Sequence, residues 1–143
     1  MFEHTVINNL VLPNRFVRSA TYEGLATKEG AVTSLLVNKM VELVKGGVGL
    51  IITSHAYISL EGQAGPRQIG IYKDELISGL QEMTEAVHEC GGKIIIQISH
   101  AGIFSTYKMS GQTPLAVSGK PGKTYHEITE RDIHKLIVAF ADG

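Results

Sequence analysis

The 143-residue sequence predicts an α/β fold, part of a (β/α)8 TIM barrel made of an N-terminal hairpin and about three βα units. Three observations carry this expectation. Short β-branched runs alternate with longer segments whose apolar residues recur at helical spacing, the pattern of parallel strands joined by crossover helices. The strand runs are apolar over most of their length, as strands covered by helices on a parallel sheet must be. Finally, the long Gly- and Pro-containing loops all follow strands, whereas helix-to-strand connections are one or two glycines. That asymmetry places the working surface at the strands' C-terminal ends.

Taken in order, Val6-Ile7 and Leu10-Val11-Leu12 flank Asn8-Asn9, a dipeptide that tolerates the positive φ of a tight hairpin turn. Pro13-Asn14 leads into a first sheet strand, Arg15 to Thr21, and Tyr22 to Val32 reads as an exposed loop holding Gly24 and Gly30. Thr33 is a suitable N-cap for a helix running to about Lys45, with Leu36, Met40, Leu43 and Val44 on its apolar face and Gly46-Gly47 at its end. The run Val48 to His55 is the next strand, followed by a long loop from Ala56 to Lys73. Asp74 reads as the N-cap of a second helix, whose Leu76, Leu80, Met83 and Val87 form one stripe before Gly91-Gly92. Lys93 to Ser99 is the third strand, and His100 to Ile128 a loop holding Pro114 and Pro121. Thr129-Glu130-Arg131-Asp132 caps a last helix, expected to bury Ile133, Leu136, Ile137 and Phe140.

Composition narrows the function. Thirteen basic residues against 14 acidic ones, without a basic cluster, give no electrostatic argument for nucleic acid or an anionic membrane surface. No apolar stretch approaches the ~20 residues of a membrane span, and Met1 to His4 lacks a signal-peptide pattern. The single Cys90, expected to pack inertly at a helix end, rules out an internal disulfide and fits a reducing compartment. The expectation is a cytoplasmic protein acting on a small-molecule substrate, with room for a homo-oligomer. A closed barrel needs ~250 residues, so residues 1–143 are expected to be the N-terminal portion of a single barrel. The alternative is a complete small protein that builds its sheet with partner chains.

The chemistry gathers at the strand tips: Ser19-Ala20-Thr21-Tyr22, Thr53-Ser54-His55 and Gln97-Ile98-Ser99-His100. Alternation sets Ile95, Gln97 and Ser99 on one face and Ile94, Ile96 and Ile98 on the other. The all-isoleucine face suits helices, so Gln97 is expected to point to the barrel axis. A primary amide there donates and accepts together, which matches the edge of a flat heterocycle such as flavin or pterin. Tyr22 and Tyr107 are candidates to reach the site from loops. His55 and His100 could share a metal ion, but no HxH pair or adjacent acidic ligand supports one, and no metal is expected. His4, His88, His126 and His134 read as solvated.

The stretch Leu12-Pro13-Asn14-Arg15-Phe16-Val17-Arg18-Ser19-Ala20-Thr21 resembles the first barrel strand of the Old Yellow Enzyme (NADH:flavin oxidoreductase) family. The resemblance continues through Gly49-Leu50-Ile51-Ile52, Gln63, Gly70-Ile71 and Gln97-Ile98-Ser99-His100-Ala101-Gly102. It implies a barrel carrying FMN, with hydride passing from NADH or NADPH to the flavin and on to an activated alkene or related acceptor. It also implies that Ser19, Ala20, Thr21 and Tyr22 lie along the flavin, largely through backbone groups, with Tyr22 tuning its reduction. His55 falls where the family has a small residue near the flavin pyrimidine, Gln97 where a glutamine bonds that ring, and His100 at a substrate-side position. Ala20 stands where many members have Pro, and Ile103 where many have Arg. The substrate histidine pair, the tyrosine proton donor and the phosphate site are implied to come from later strands. The runner-up readings are a metal-dependent barrel hydrolase or lyase using His55 and His100, and a non-enzymatic half-barrel.

Overall fold

A computed structural model describes residues 1–119, 122 and 124–143; Pro121, one of the expected loop prolines, lies outside the described residues. The chain opens with the predicted hairpin. Strands β1 (Thr5–Ile7) and β2 (Leu10–Leu12) pair antiparallel, with Thr5 opposite Leu12. Asn8 turns the chain at φ 49°, a conformation its short polar side chain tolerates. Asn14 then ties the hairpin to the sheet. Its amide donates to the Gly47 carbonyl (2.8 Å) and its Oδ1 accepts from the Phe16 N–H (2.9 Å).

The main sheet has three parallel strands in the order β3 (Val17–Arg18), β4 (Leu50–Tyr57) and β5 (Ile94–Ser99). The strand expected over Arg15–Thr21 is only two residues long, because β3 is an edge strand that meets β4 only at Leu50 and Ile51. By contrast β4 runs two residues past the expected end, held by pairing of Ala56 and Tyr57 with Ile98 and Ser99. His55 therefore lies within the strand rather than at its tip.

Helix α1 (Ser34–Lys45) is capped by Thr33, whose side chain accepts from the Leu36 N–H. Helix α2 (Ile77–Glu89) starts differently from expectation: Asp74–Leu76 form a 3-10 turn ahead of it, and no side chain caps either segment. Leu36, Val37 and Met40 of α1 and Met83 and Val87 of α2 close over Ile51 and Ala56 of β4 to form the core. The contact is close at Gly92, where a Cβ would lie 2.4 Å from a Val44 methyl and 2.9 Å from one of Val87. Only glycine fits that helix-to-strand junction.

The segment from Tyr22 to Val32 is not the exposed loop its charges suggested. Ala26 is fully buried in the core, Leu25 and Val32 pack against it, and Gly30 is buried. The 100–128 loop contains a short helix α3 (Tyr107–Ser110) and a small parallel pair, β6 (Leu115–Ala116) with β7 (His126–Glu127). Helix α4 (Glu130–Asp142) has the predicted capping box between Thr129 and Asp132. Its expected buried side is open instead: Ile133, Ile137 and Phe140 are exposed and only Leu136 is half-buried. No strand pairs with the outer edge of β5 among the described residues, so nothing draws α4 onto the sheet. For the same reason Ile96, on the expected helix-facing side, is exposed. Cys90 occupies the C-cap of α2 and is exposed rather than packed. No helix among the described residues is long and apolar enough to cross a membrane.

Candidate functional site

A β-bulge builds the site. Ile52 pairs with Ile95, and the next register partners are His55 and Gln97, so Thr53 and Ser54 together oppose Ile96. An extra residue in one strand reverses the sidedness of everything after it. Without it, His55 would share the face of Ile51, which is buried against the helices. With it, His55 joins Ile52, Ile95 and Gln97 on the opposite face. Thr53 secures the bulge: its Oγ1 accepts from the Gln97 N–H (3.3 Å) and donates to the Ser54 carbonyl (2.8 Å).

Gln68 fixes the other side of His55. It is 1% exposed, and its Nε2 donates to the His55 carbonyl (2.7 Å). Its Oε1 accepts from the N–H groups of Ala64 (2.7 Å) and Gly65 (3.2 Å). One buried amide thus fastens the loop after β4 to the strand.

Tyr22 arrives from the loop after β3. Its hydroxyl donates to the Pro66 carbonyl, and its ring lies 5.9 Å from that of His55, tilted by 53°. A Cβ at residue 65 would come within 2.9 Å of the hydroxyl, so Gly65 permits the approach. Burial pushes the Tyr22 phenol up, opposed by the charge of Arg67. Tyr22, His55, Ala64 and Gly65 line an open recess of about 250 Å³. Arg18 of β3 pairs with Glu23 at 2.5 Å.

The predicted residues are thus partly brought together. Tyr22 lies beside His55, and His55 is the register partner of Gln97; among the described residues no hydrogen bond engages the Gln97 amide or the His55 ring. Ser19, Ala20 and Thr21 follow β3 as irregular chain; Thr21 donates to the Ser19 carbonyl (3.0 Å), and the N–H groups of Ala20, Thr21 and Tyr22 have no backbone partner among the described residues.

His100 stands apart from that recess. Its Nδ1 accepts from the Gly102 N–H (3.0 Å), which leaves the proton of the neutral ring on Nε2, and Nε2 is buried without a partner among the described residues. Gly62 packs flat against the ring, and burial lowers the His100 pKa while Glu61 opposes the shift. Tyr107 is largely exposed and lines a different hollow, with Ile103 and Tyr125. Among the described residues, no three His, Cys, Asp or Glu side chains gather at metal-binding distance. A cavity of about 690 Å³ between Ser59, Glu61 and α4 is lined by none of the predicted site residues.

Gln68, Thr53 and Asn14 escaped sequence reasoning as positioning residues. Asn14 had a visible signal, lying in the Leu12–Thr21 stretch; Gln68 had none beyond its place in a Gly- and Pro-containing loop.

Comparison with known proteins gives the arrangement its kin. The model of the NADH:flavin oxidoreductase / NADH oxidase family matches residues 1–143. An NADH oxidase of Thermoanaerobacter brockii is 34% identical over all of this chain and 23% of its own length. An NADPH dehydrogenase of Halalkalibacterium halodurans is 32% identical over all of this chain and 43% of its own. Among solved structures, the old yellow enzyme homologue from Zymomonas mobilis superposes with a TM-score of 0.88 at 26% identity, over 99% of this chain and 43% of that one. Morphinone reductase does so with a TM-score of 0.86 at 22% identity, over 99% and 42%. The chain spans less than half the length of these relatives, and its hairpin and three βα units form part of a (β/α)8 barrel. It belongs to the NADH:flavin oxidoreductase / NADH oxidase family.

Proposed function

We propose that this chain supplies the first three βα units of an FMN-dependent oxidoreductase of the ene-reductase type, which passes hydride from NADH or NADPH through the flavin to an activated alkene or related acceptor. The observation that carries the reading is the Gln97 amide, without a hydrogen-bond partner among the described residues and paired in register with His55 by the β4 bulge, on the face turned away from the helices. The residues fit a flat heterocycle. Gln97 offers a donor and an acceptor side by side, the N–H groups of Ala20, Thr21 and Tyr22, without backbone partners among the described residues, add donors in one run, and the recess beside Tyr22 and His55 is open. Bound FMN would supply the hydride-carrying chemistry; the protein supplies binding, orientation and electrostatics.

In this division of labour Gln97 orients the ring edge, the Ser19–Tyr22 segment lies along it through backbone groups, and Tyr22 walls it in. The Tyr22 hydroxyl is held by the Pro66 carbonyl, so it contributes its ring rather than a free proton. His100, with an unpartnered Nε2–H, is the donor assigned to the substrate side. The reading includes a cytoplasmic setting, consistent with one unpaired cysteine, and a small-molecule substrate. Residues 1–143 form one portion of a single barrel, whose phosphate site belongs to later strands.

The test is flavin binding. The completed barrel should purify with FMN, and Gln97→Ala should weaken the FMN dissociation constant by ~5–10-fold, the loss of about 1–1.5 kcal/mol of hydrogen bonding. The isolated 143-residue chain should bind FMN poorly. An isolated chain that is yellow and oxidises NADPH overturns the partial-barrel reading, and a completed barrel without affinity for FMN overturns the flavin reading.

A further inference from the structure

We infer that Arg18 and Glu23 are positioning residues, a clasp that sets the path of Ser19–Tyr22. This rests on the function proposed above, in which that segment lies along the ligand. Their place in the chain singles them out. Arg18 ends β3 and Glu23 follows five residues later, so the pair brackets Ser19, Ala20, Thr21 and Tyr22. Among the described residues those four make no backbone–backbone hydrogen bond, and the Thr21 hydroxyl donates to the Ser19 carbonyl within the segment. Ser19, Thr21 and Tyr22 are exposed. Exposed chain outside any ladder has little of its own to hold one conformation.

The pair is built as a buried unit. The two side chains are 15% and 6% exposed, with Nη2 of Arg18 2.5 Å from Oε1 of Glu23. Arg18 also donates through Nη1 to the carbonyl of Ile52 (3.4 Å), the β4 residue immediately before the bulge. One planar guanidinium thus joins the two ends of the segment and ties both to the neighbouring strand, a fork that an ammonium does not reproduce. Glu23 Oε2 is buried without a partner among the described residues, so the carboxylate depends on Arg18.

Stability alone does not account for such a pair. A buried ion pair recovers little beyond its own desolvation, and an apolar pair of similar volume is often no less stable. What the charges add is direction: a charge-assisted hydrogen bond fixes where two groups sit, whereas an apolar contact tolerates sliding. The neighbouring anchors leave this task open. The Tyr22 hydroxyl donates to the Pro66 carbonyl, which ties down the tip of one side chain. Past Glu23, the Ala26 N–H donates to the Arg67 carbonyl (3.1 Å) and the Ala26 carbonyl accepts from Arg67 Nε (3.0 Å). Those bonds secure the chain after the clasp, and the backbone before Tyr22 is left to the clasp itself.

The experiment compares the completed barrel in native form with the double variant Arg18→Met, Glu23→Leu, which keeps the volume without the charges. In flavin-free protein, chymotryptic cleavage after Tyr22, read by mass spectrometry, reports on the segment, and chemical denaturation reports on the fold. Cleavage in the double variant should quicken at least about fivefold, the factor that the best exposed ion pairs are worth, while the denaturation midpoint stays at the native value. The FMN dissociation constant should rise by a similar factor. Glu23→Gln keeps an acceptor for Arg18 and should show a smaller increase in cleavage. Cleavage at the native rate, or cleavage that quickens only in step with a loss of global stability, overturns the inference. Native and variant barrels that both fail to bind FMN sink the flavin reading instead, and the cleavage comparison still decides the clasp.

Discussion

Gln68 shows how a residue can matter at a site without facing it. Its side chain is buried and satisfies one carbonyl on β4 and two N–H groups on the loop that follows. Gln68→Leu keeps the volume and removes all three bonds. Each buried backbone group left unpaired costs about 1–3 kcal/mol, with partial relief where the loop opens to water. Chemical denaturation should show a loss of at least that size for one group, and amide exchange should quicken at Ala64 and Gly65. If the midpoint stays put, Gln68 is not the fastener. The face of Gln97 follows from strand alternation alone. Gln68 was not legible in the sequence, since a glutamine in a loop carries no periodicity and its partners are 13 residues away on β4 and 3–4 residues away within the loop.

Elements were read well where their own pattern determines them. The hairpin, α1 and the α2 stripe follow from turn chemistry and helical spacing; Leu36 and Met40 of α1 and Met83 and Val87 of α2 are buried as predicted. Two features escaped. Strict period-2 reading of β4 assigns His55 to the helix side, because an extra residue in a ladder leaves no mark in a single strand's composition. The apolar stripe of α4 was read as buried, but amphipathicity reports a face that seeks a cover, not that the cover is present. The cap of α4 was legible, and it carries a pH dependence. Hydrogen bonds from the Thr129 hydroxyl and N–H, then from His126, hold the Asp132 carboxyl well below its usual 3.8. A depressed carboxyl contributes above the unfolded pKa and is lost as pH falls through the folded one. Helicity of α4 should therefore persist at neutral pH and decline progressively as pH falls below about 3.8, the ordinary value of the carboxyl. Thr129→Ala should lower it at all pH values and bring the acid fraying to higher pH. Circular dichroism across an acid titration reads both effects, and a variant indistinguishable from native would show the box to be idle.

At the scale of the whole molecule the missing covers become a single property. Both outer edges of the three-stranded sheet lack a strand among the described residues. Beside the β5 edge lie Ile95 and Ile96, and α4 presents Ile133, Ile137, Val138 and Phe140, each between 37% and 60% exposed. Unpaired strand edges invite pairing, and contiguous apolar surface invites contact. Near-balanced charge, 13 basic against 14 acidic residues, offers little long-range repulsion to prevent it. The isolated 143-residue chain should therefore self-associate as its concentration rises. Sedimentation velocity should show the weight-average mass climbing with loading. Ile133→Lys with Ile137→Glu, both on the exposed stripe and outside the core, should reduce that climb without lowering the helical signal. Association that ignores the stripe would assign the contact to the β5 edge alone, and a charged substitution at Ile95, also exposed, would then be the one to suppress it. A chain that stays monomeric at every concentration would mean that these faces close upon one another in solution.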